Sequence, residues 1–317
     1  MEFLYRSRWL GGGAVPVVGR RFDWVMCGEE RTADSSVEWF IVQKRGTKME
    51  KRVAGKLCAK MVVAGCLVVG AGNAFAGPPL VTDDAGIVDV GHLEVELNGS
   101  YAHDSEREDG VRVKSDLFDG EVKLTTGLLK NLGVSLALPY AFSARSYEDG
   151  GLTSSTEGVG DALFELKYVF FEQNDLALTL KPTLYLPTGR RSMSEGHWQP
   201  GVTLIATKEF ADGAYALHGN LGYEHHFYRT ADKAGSRSDL WSASVAGEAE
   251  LVPKLTGMLD FGVSRNSDTS TSTPLVYGLA GFRYEVNEYL DVDLGVKVGL
   301  TKPEDDVAAL YGIVLKF

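Results

Sequence analysis

Cysteine is scarce in this chain of 317 residues and is missing from everything beyond residue 66. The three cysteines are Cys27, Cys58 and Cys66. A domain formed by the later residues has no disulfide bond to stabilise it, which excludes the disulfide-rich class of small secreted proteins. Its stability must come from another source, and a closed ring of strand hydrogen bonds would supply it.

Apolar residues form no run as long as a membrane-spanning helix, which needs about 20 of them. The apolar run at residues 61–72 is short; basic residues precede it, and the small-residue pattern Ala74-Phe75-Ala76 follows it. These are the three regions of a secretory signal peptide. We therefore predict a signal peptide over residues 49–76, cleaved between Ala76 and Gly77.

Residues 1–48 do not fit this arrangement, because the basic region of a signal peptide belongs at the N-terminus. We interpret them as an upstream extension from a misplaced start codon; a small separate N-terminal piece is the alternative. The stretch Val63 to Cys66 also resembles a lipoprotein cleavage box. Against that reading, only five residues separate Lys60 from Cys66, and the apolar run continues past the cysteine.

Basic residues are sparse after the predicted signal peptide. The first 76 residues contain 12 of the 32 Lys and Arg and 7 of the 43 Asp and Glu, which leaves 20 basic and 36 acidic residues. The net charge of the remaining chain is therefore about −16. So acidic a chain is a poor partner for nucleic acid.

What the chain does have is strict alternation of apolar and polar residues. From Leu290 to Leu300 the sequence reads LDVDLGVKVGL, with every apolar side chain on one face of a strand. Eleven residues are about the length that a tilted strand needs to cross a bilayer. Twelve segments show the pattern: 91–102, 115–128, 131–142, 159–170, 175–187, 198–210, 214–228, 239–251, 254–265, 274–286, 289–300 and 307–317.

The connections between these segments alternate between short and long. Short turns lie near residues 129–130, 172–175, 211–213, 252–254 and 287–288. Longer polar loops lie near residues 103–114, 143–158, 188–197, 229–238, 266–273 and 301–306. This asymmetry is typical of outer-membrane barrels, with short periplasmic turns and longer extracellular loops. We predict an all-β fold, a transmembrane antiparallel up-and-down β-barrel of about twelve strands over residues 91–317.

The last predicted strand ends the chain with an aromatic residue. It closes the ring against the first strand and places Phe317 at the membrane interface. The pattern Gly312, Leu315, Phe317 also resembles the C-terminal signal that the outer-membrane insertion machinery reads. We therefore expect the insertion machinery and outer-membrane lipids as partners.

The polar faces of the strands should line the lumen, because charged side chains that face lipid cost about 2–4 kcal/mol at the midplane. Two readings remain open: a water-filled path that favours cations or neutral polar solutes, or a closed barrel whose acids and bases pair. The predicted lumen residues are Glu94, Glu96, Asp119, Glu121, Lys123, Asp161, Glu165, Lys167, His218, Glu224, Asp260, Arg283, Asp291, Asp293 and Lys297.

Residues 77–90 precede the first predicted strand and contain two prolines and the pair Asp83-Asp84. They suit an ordered segment that is not a strand. Either they plug the lumen from the periplasmic side or they form a short periplasmic tail.

A lipid hydrolase in the outer membrane would need a histidine beside a serine nucleophile. His225 and His226 lie at a predicted strand end, and Ser236, Ser238 and Ser242 follow. No G-x-S-x-G motif surrounds them, and strand neighbours point to opposite faces, which disfavours a metal site with Glu224. We expect no catalytic residues, no metal and no cofactor.

Several motifs resemble one family of bacterial outer-membrane proteins. The opening GPPLVTDD and the following GHLEVE are similar to the start of proteins labelled transporter or "putative MetA-pathway of phenol degradation". The similarity continues at GVGD (158–161), ELKY (165–168) and LPTG (186–189). Ala85 departs from the proline that the resemblance leads us to expect after the paired aspartates.

The resemblance implies uptake of aromatic or other small organic compounds. The predicted function is passive diffusion of small molecules through a polar, acidic lumen in the outer membrane of a Gram-negative bacterium. The alternatives are a closed structural or adhesive barrel and an outer-membrane lipid hydrolase.

Overall fold

The computed structural model describes residues 79–108, 110–211, 213–229 and 233–317. The predicted upstream extension, the signal peptide and its cleavage site lie outside these residues. Within the described parts of the chain, helix is limited to the 3-10 turn Lys233–Gly235, and none is long and apolar enough to span a bilayer.

Thirteen antiparallel strands make up the fold. They are β1 Leu93–Glu108, β2 Val111–Leu129, β3 Leu132–Glu148, β4 Gly151–Val159, β5 Ala162–Gln173, β6 Leu176–Leu186, β7 Gln199–Phe210, β8 Tyr215–His225, β9 Asp239–Val252, β10 Leu255–Ser264, β11 Leu275–Asn287, β12 Leu290–Gly299 and β13 Val307–Lys316.

Twelve of these strands close into a ring. Each pairs with its neighbour in sequence, and β13 pairs back on β1, with Leu97 opposite Ile313. β3 pairs with β5 over its first six residues and with β4 over its second half. β4 is therefore an extra strand that pairs with the part of β3 extending beyond the ring. The fold is therefore a closed twelve-stranded antiparallel barrel plus one extra strand, and the predicted fold class is confirmed.

The two faces of the wall have opposite chemistry. On β12, Leu294 is 60% exposed and points outward, whereas its neighbour Asp293 is 7% exposed and points inward. The same alternation places Phe118, Val122 and Leu124 of β2 on the outer face. The outer face is thus an apolar band suited to lipid, and the inner face carries the polar residues.

Two predicted loops are wrong. Residues 103–114 and 143–158 form hairpin extensions of the ring, in which Ser105 pairs with Lys114 and Ser146 pairs with Ser154. Their tips turn at Gly110 and at Asp149-Gly150, all with positive φ. Polar residues also pair as strands once a neighbouring strand offers its edge. The end of an apolar face therefore does not mark the end of a strand.

We call residues 79–90 the lumenal segment, because they contact inward-facing side chains on opposite sides of the ring. Leu80 packs with Ala246, Met258, Tyr277, Leu279 and Leu310 of four strands. Thr82, Asp83 and Ala85 are almost fully buried. The segment leaves the lumen at the end of the barrel with the short turns, where Val90 bridges Gly127.

Candidate functional site

The centre of the lumen contains a cluster of buried lysines and carboxylates. Lys123 of β2 lies 3.1 Å from Glu165 of β5, and Lys181 of β6 lies 3.1 Å from the other oxygen of Glu165. Glu96 of β1 is 3.9 Å from Lys123. The strands β1, β2, β5 and β6 lie close together in the ring, with only β3 between β2 and β5. Because each of these side chains points inward, the charges meet in the lumen.

Asp83 of the lumenal segment completes this cluster. Its carboxylate lies 2.7 Å from Lys167 Nζ and 2.9 Å from Lys181 Nζ, and it is 1% exposed. Burial alone would raise the pKa of Asp83, but the two ammonium groups outweigh it and hold the pKa well below its usual range. The segment is therefore fixed to β5 and β6 by an ionised carboxylate.

A second contact holds the beginning of the segment to β10. The backbone N–H groups of Val81 and Thr82 both donate to Asp260 Oδ2 at 2.8 Å, and the Thr82 hydroxyl donates to Oδ1 at 2.7 Å. The Tyr277 hydroxyl donates to the same Oδ1 at 3.1 Å. One carboxylate thus pairs several donors, including two backbone N–H groups of the segment that are buried away from water.

The middle of the segment is held through its backbone by β6 and by two further strands, β7 and β8. The Ala85 N–H donates to Thr207 Oγ1 at 2.8 Å, and the Thr179 hydroxyl donates to the Ala85 carbonyl at 2.7 Å. With its amide oriented to suit, Asn220 accepts from the Asp83 N–H at 2.6 Å and donates to the Asp83 carbonyl at 2.9 Å. The wall therefore recognises the segment much as it would a bound peptide.

Glycines let both ends of the segment approach the wall closely. A Cβ added at Gly127 would lie 2.8 Å from the backbone carbon of Asp89, and one at Gly295 would lie 2.8 Å from Pro79 Cβ. These distances are too short for a side chain, so glycine is required for the contact.

A polar cavity of about 280 Å³ lies between the segment and the turn end of the barrel. This is space for several water molecules. Its walls carry both signs of charge. The charged side chains that line it are Asp84, Glu94, Glu96, Lys123, Glu165, Lys167, Arg283, Asp291 and Lys316.

On the loop side of the segment, His226 joins a strand end to an inward-folded loop. Its Nε2 lies 3.0 Å from Glu224, and its Nδ1 lies 3.4 Å from Glu195 in the loop between β6 and β7. Burial lowers the pKa of His226, but the two carboxylates outweigh this effect and raise the pKa to about 10. The imidazole is therefore a cation that ties the loop to β8.

The loop between β12 and β13 also folds inward. Lys297 of β12 lies 2.8 Å from Glu304 of that loop. Burial raises the pKa of Asp305 to about 7, and the neighbouring Lys297 ammonium offsets only part of this effect. The loop between β12 and β13 and the loop after β6 together narrow the lumen between the lumenal segment and the loop end of the barrel.

All fifteen predicted lumen residues are buried or half-buried in the structure. Asp83, Lys181 and Glu195 were missed. Lys181 could have been found, since Thr179, Lys181 and Thr183 alternate with apolar residues along β6.

The two histidines considered for catalysis have acidic partners. His225 contacts Asp239 at 2.9 Å, and both nitrogens of His226 contact carboxylates. A protonated imidazole held by two carboxylates has no free nitrogen to accept a serine proton. Among the described residues, no group of three His, Cys, Asp or Glu side chains is arranged to hold a metal ion.

A closed antiparallel ring with an apolar outer face and a charged interior defines an outer-membrane β-barrel. The chain belongs to the family described as "Putative MetA-pathway of phenol degradation", whose model matches residues 78–317. The predicted family is thereby confirmed.

Two solved structures share this architecture. The COG4313 outer membrane channel from Pseudomonas putida F1 superimposes with a TM-score of 0.62 at 15% identity, covering 74% of this chain and 98% of that one. The NanC porin gives a TM-score of 0.51 at 10% identity, covering 70% and 100%. No curated protein matches the chain by sequence. At these identities the comparisons establish the fold.

Proposed function

We propose that this protein is an outer-membrane channel for small molecules whose lumen is closed by the lumenal segment acting as a plug. The observation that carries the proposal is Asp83, which joins the segment to Lys167 and Lys181 inside a ring of polar side chains. Family membership and the fold of the COG4313 outer membrane channel support it.

The bonds between segment and wall suit a plug that moves. Most are hydrogen bonds between side chains of the wall and the backbone of the segment, and the ionic contacts join groups that water could solvate if the segment withdrew. The polar cavity on the turn side provides a hydrated space next to the segment. Passage requires that Asp83 leave the lysines, which sets a gate at this point.

The solute class follows from the wall chemistry. The interior is charged throughout its middle, with acids and bases in contact, so it favours polar or charged small molecules over purely apolar ones. The family description supports small organic compounds of the kind met in aromatic degradation.

The remaining assignments complete the proposal. Export through a signal peptide cleaved between Ala76 and Gly77 would deliver the chain to the outer membrane of a Gram-negative cell. The strand pairing of β13 with β1 supports a role for Gly312, Leu315 and Phe317 in recognition by the insertion machinery. Membrane lipids would cover the apolar band.

A closed structural barrel is the second candidate, and the plugged lumen is the observation that favours it. Conductance in planar bilayers and solute-dependent swelling of liposomes separate the two. We expect rare current steps for the wild type and frequent ones when the contact between segment and wall is weakened. If neither the wild type nor a variant with a weakened contact between segment and wall gave current steps or swelling, the channel proposal would be wrong and the closed barrel would stand.

A further inference from the structure

Two buried side chains at one place on the lumen wall carry oxygen atoms without a hydrogen-bond partner. Asp293 of β12 is 7% exposed, and neither of its carboxylate oxygens is paired within the described residues. Asn98 of β1 is 9% exposed, and its Oδ1 is also unpaired there. Buried acceptors of this kind are rare, because an unpartnered carboxylate away from water is strongly disfavoured.

These oxygens converge in front of Gly312 of β13. Gly312 lies opposite Asp293 on one side of the ladder and opposite Asn98 on the other. A Cβ added at Gly312 would lie 2.9 Å from Asn98 Oδ1 and 2.9 Å from Asp293 Oδ1, and closer still to Asp293 Oδ2. In this orientation the Asn98 amide nitrogen lies 3.4 Å from Glu96 and the amide oxygen faces this point.

The basic side chains nearby contact other carboxylates. Arg283 lies opposite Asp293 in the ladder, and its guanidinium is 3.8 Å from Glu248. Lys316 lies 2.7 Å from Asp291. Neither of them hydrogen-bonds to Asp293, whose carboxylate oxygens have no hydrogen-bond partner among the described residues.

We propose that Asp293, Asn98 and Gly312 form a binding site for a primary ammonium group. An ammonium group has three N–H donors, which matches the three acceptor oxygens, and one positive charge, which matches one carboxylate. A divalent cation such as calcium would require six or more oxygen ligands, twice the number present. The glycine leaves room for the Asp293 and Asn98 side chains to converge over the wall.

Two sources could supply the ammonium group. In both cases the proposal rests on the proposed function, in which these residues line the lumen of a channel. One is a small amine that enters the lumen as a solute. The other is the α-amino group that cleavage between Ala76 and Gly77 would create. Pro79, the first described residue of the lumenal segment, lies against Gly295, which is two residues from Asp293 on the same face of β12.

The experiment uses the full processed protein folded in detergent micelles. Thermal unfolding is followed with methylammonium chloride and, as a control of equal charge without N–H donors, tetramethylammonium chloride. The variants are Asp293→Asn and, as a matched control, Asp175→Asn, which alters an exposed carboxylate on a turn. Asn98→Asp adds a negative charge to the site and serves as a second variant if Asp293→Asn fails to fold.

If a solute occupies the site, methylammonium raises the unfolding temperature of the wild type and of Asp175→Asn but not of Asp293→Asn. Asn98→Asp should show the larger rise. Tetramethylammonium should have no effect on any of them.

If the α-amino group occupies the site, methylammonium has no effect on the wild type. Instead, an acylating reagent should modify the N-terminal amine about tenfold more slowly in the wild type than in Asp293→Asn, the ratio that one charge-assisted hydrogen bond provides. Absence of both effects would overturn the proposal. Neither readout uses conductance, so a silent channel would leave this result intact.

Discussion

The Asp83 carboxylate lies 2.9 Å from the Lys181 ammonium nitrogen, although 98 positions separate the two residues in the chain. Lys181 is 1% exposed and also contacts Glu165. Removing one member of a buried ion pair typically costs about 3–5 kcal/mol, because a charge stays behind without its partner. In the proposed gating, this contact would set how often the lumenal segment leaves the wall.

A substitution at Gly127 should displace the segment without changing any charge. A Cβ there would overlap the backbone at Val88 and Asp89. We expect Gly127→Ala to increase the frequency of current steps in planar bilayers. Gly219→Ala is the matched control, because a Cβ at Gly219 meets no atom within 4 Å. Equal behaviour of the two variants would contradict the docking described here.

The position of the segment can be tested with a disulfide, because no cysteine follows Cys66. A Cβ added at Gly295 would lie 2.8 Å from Pro79 Cβ, so a shift of the segment by about 1 Å brings two cysteines at these positions to the usual disulfide separation. Pro79→Cys combined with Gly295→Cys should cross-link under oxidising conditions, as measured by mass spectrometry of peptides. Pro79→Cys with Gly299→Cys should not, since Gly299 is about 13 Å further along β12.

Protonated His226 should stabilise the loop after β6 over most of the pH range. Its pKa is raised to about 10, so the stabilisation is complete below about pH 6.5 and is lost as the pH rises through 10. NMR of ring-labelled histidine should show His226 still protonated at pH 8, with the signal assigned by its loss in His226→Gln. A titration midpoint near 6.5 would contradict the ion pairs with Glu195 and Glu224.

The same residue gives a stability prediction. His226→Gln leaves Glu195 and Glu224 buried without their cation, and we expect it to lower the free energy of unfolding by about 3–5 kcal/mol at pH 7. His225→Gln is the matched control, since His225 is partly exposed and its partner Asp239 is more exposed still. Urea unfolding of the two variants measures the difference.

The sequence predicts the wall of the barrel far better than its contents. Alternation at period two places Leu294 outward and Asp293 inward, because one face must meet lipid and the other cannot. The same rule missed the hairpin extensions beyond the bilayer, such as the pairing of Ser146 with Ser154, since no apolar face is needed there.

The partners of the inward residues were not predictable. Asp83 reaches Lys167 and Lys181 only when the ring has closed and the strand register has set the height of each lysine. The alternatives of plug and tail for residues 77–90 depended on these contacts across the lumen, which no local pattern encodes. The choice of Ala85 over proline has a visible consequence, because the Ala85 N–H donates to Thr207.

The most direct test of the account is the single-channel conductance of Asp83→Asn against the wild type and Asp84→Asn. Asp84 is the adjacent carboxylate, partly exposed and 3.7 Å from Lys167, so the same change there removes much less binding energy. A loss of about 3–5 kcal/mol corresponds to a roughly hundredfold or greater rise in the open population. We predict frequent openings for Asp83→Asn and rare openings for the other two; equal conductance in all three proteins would contradict the claim that the lumenal segment closes the channel.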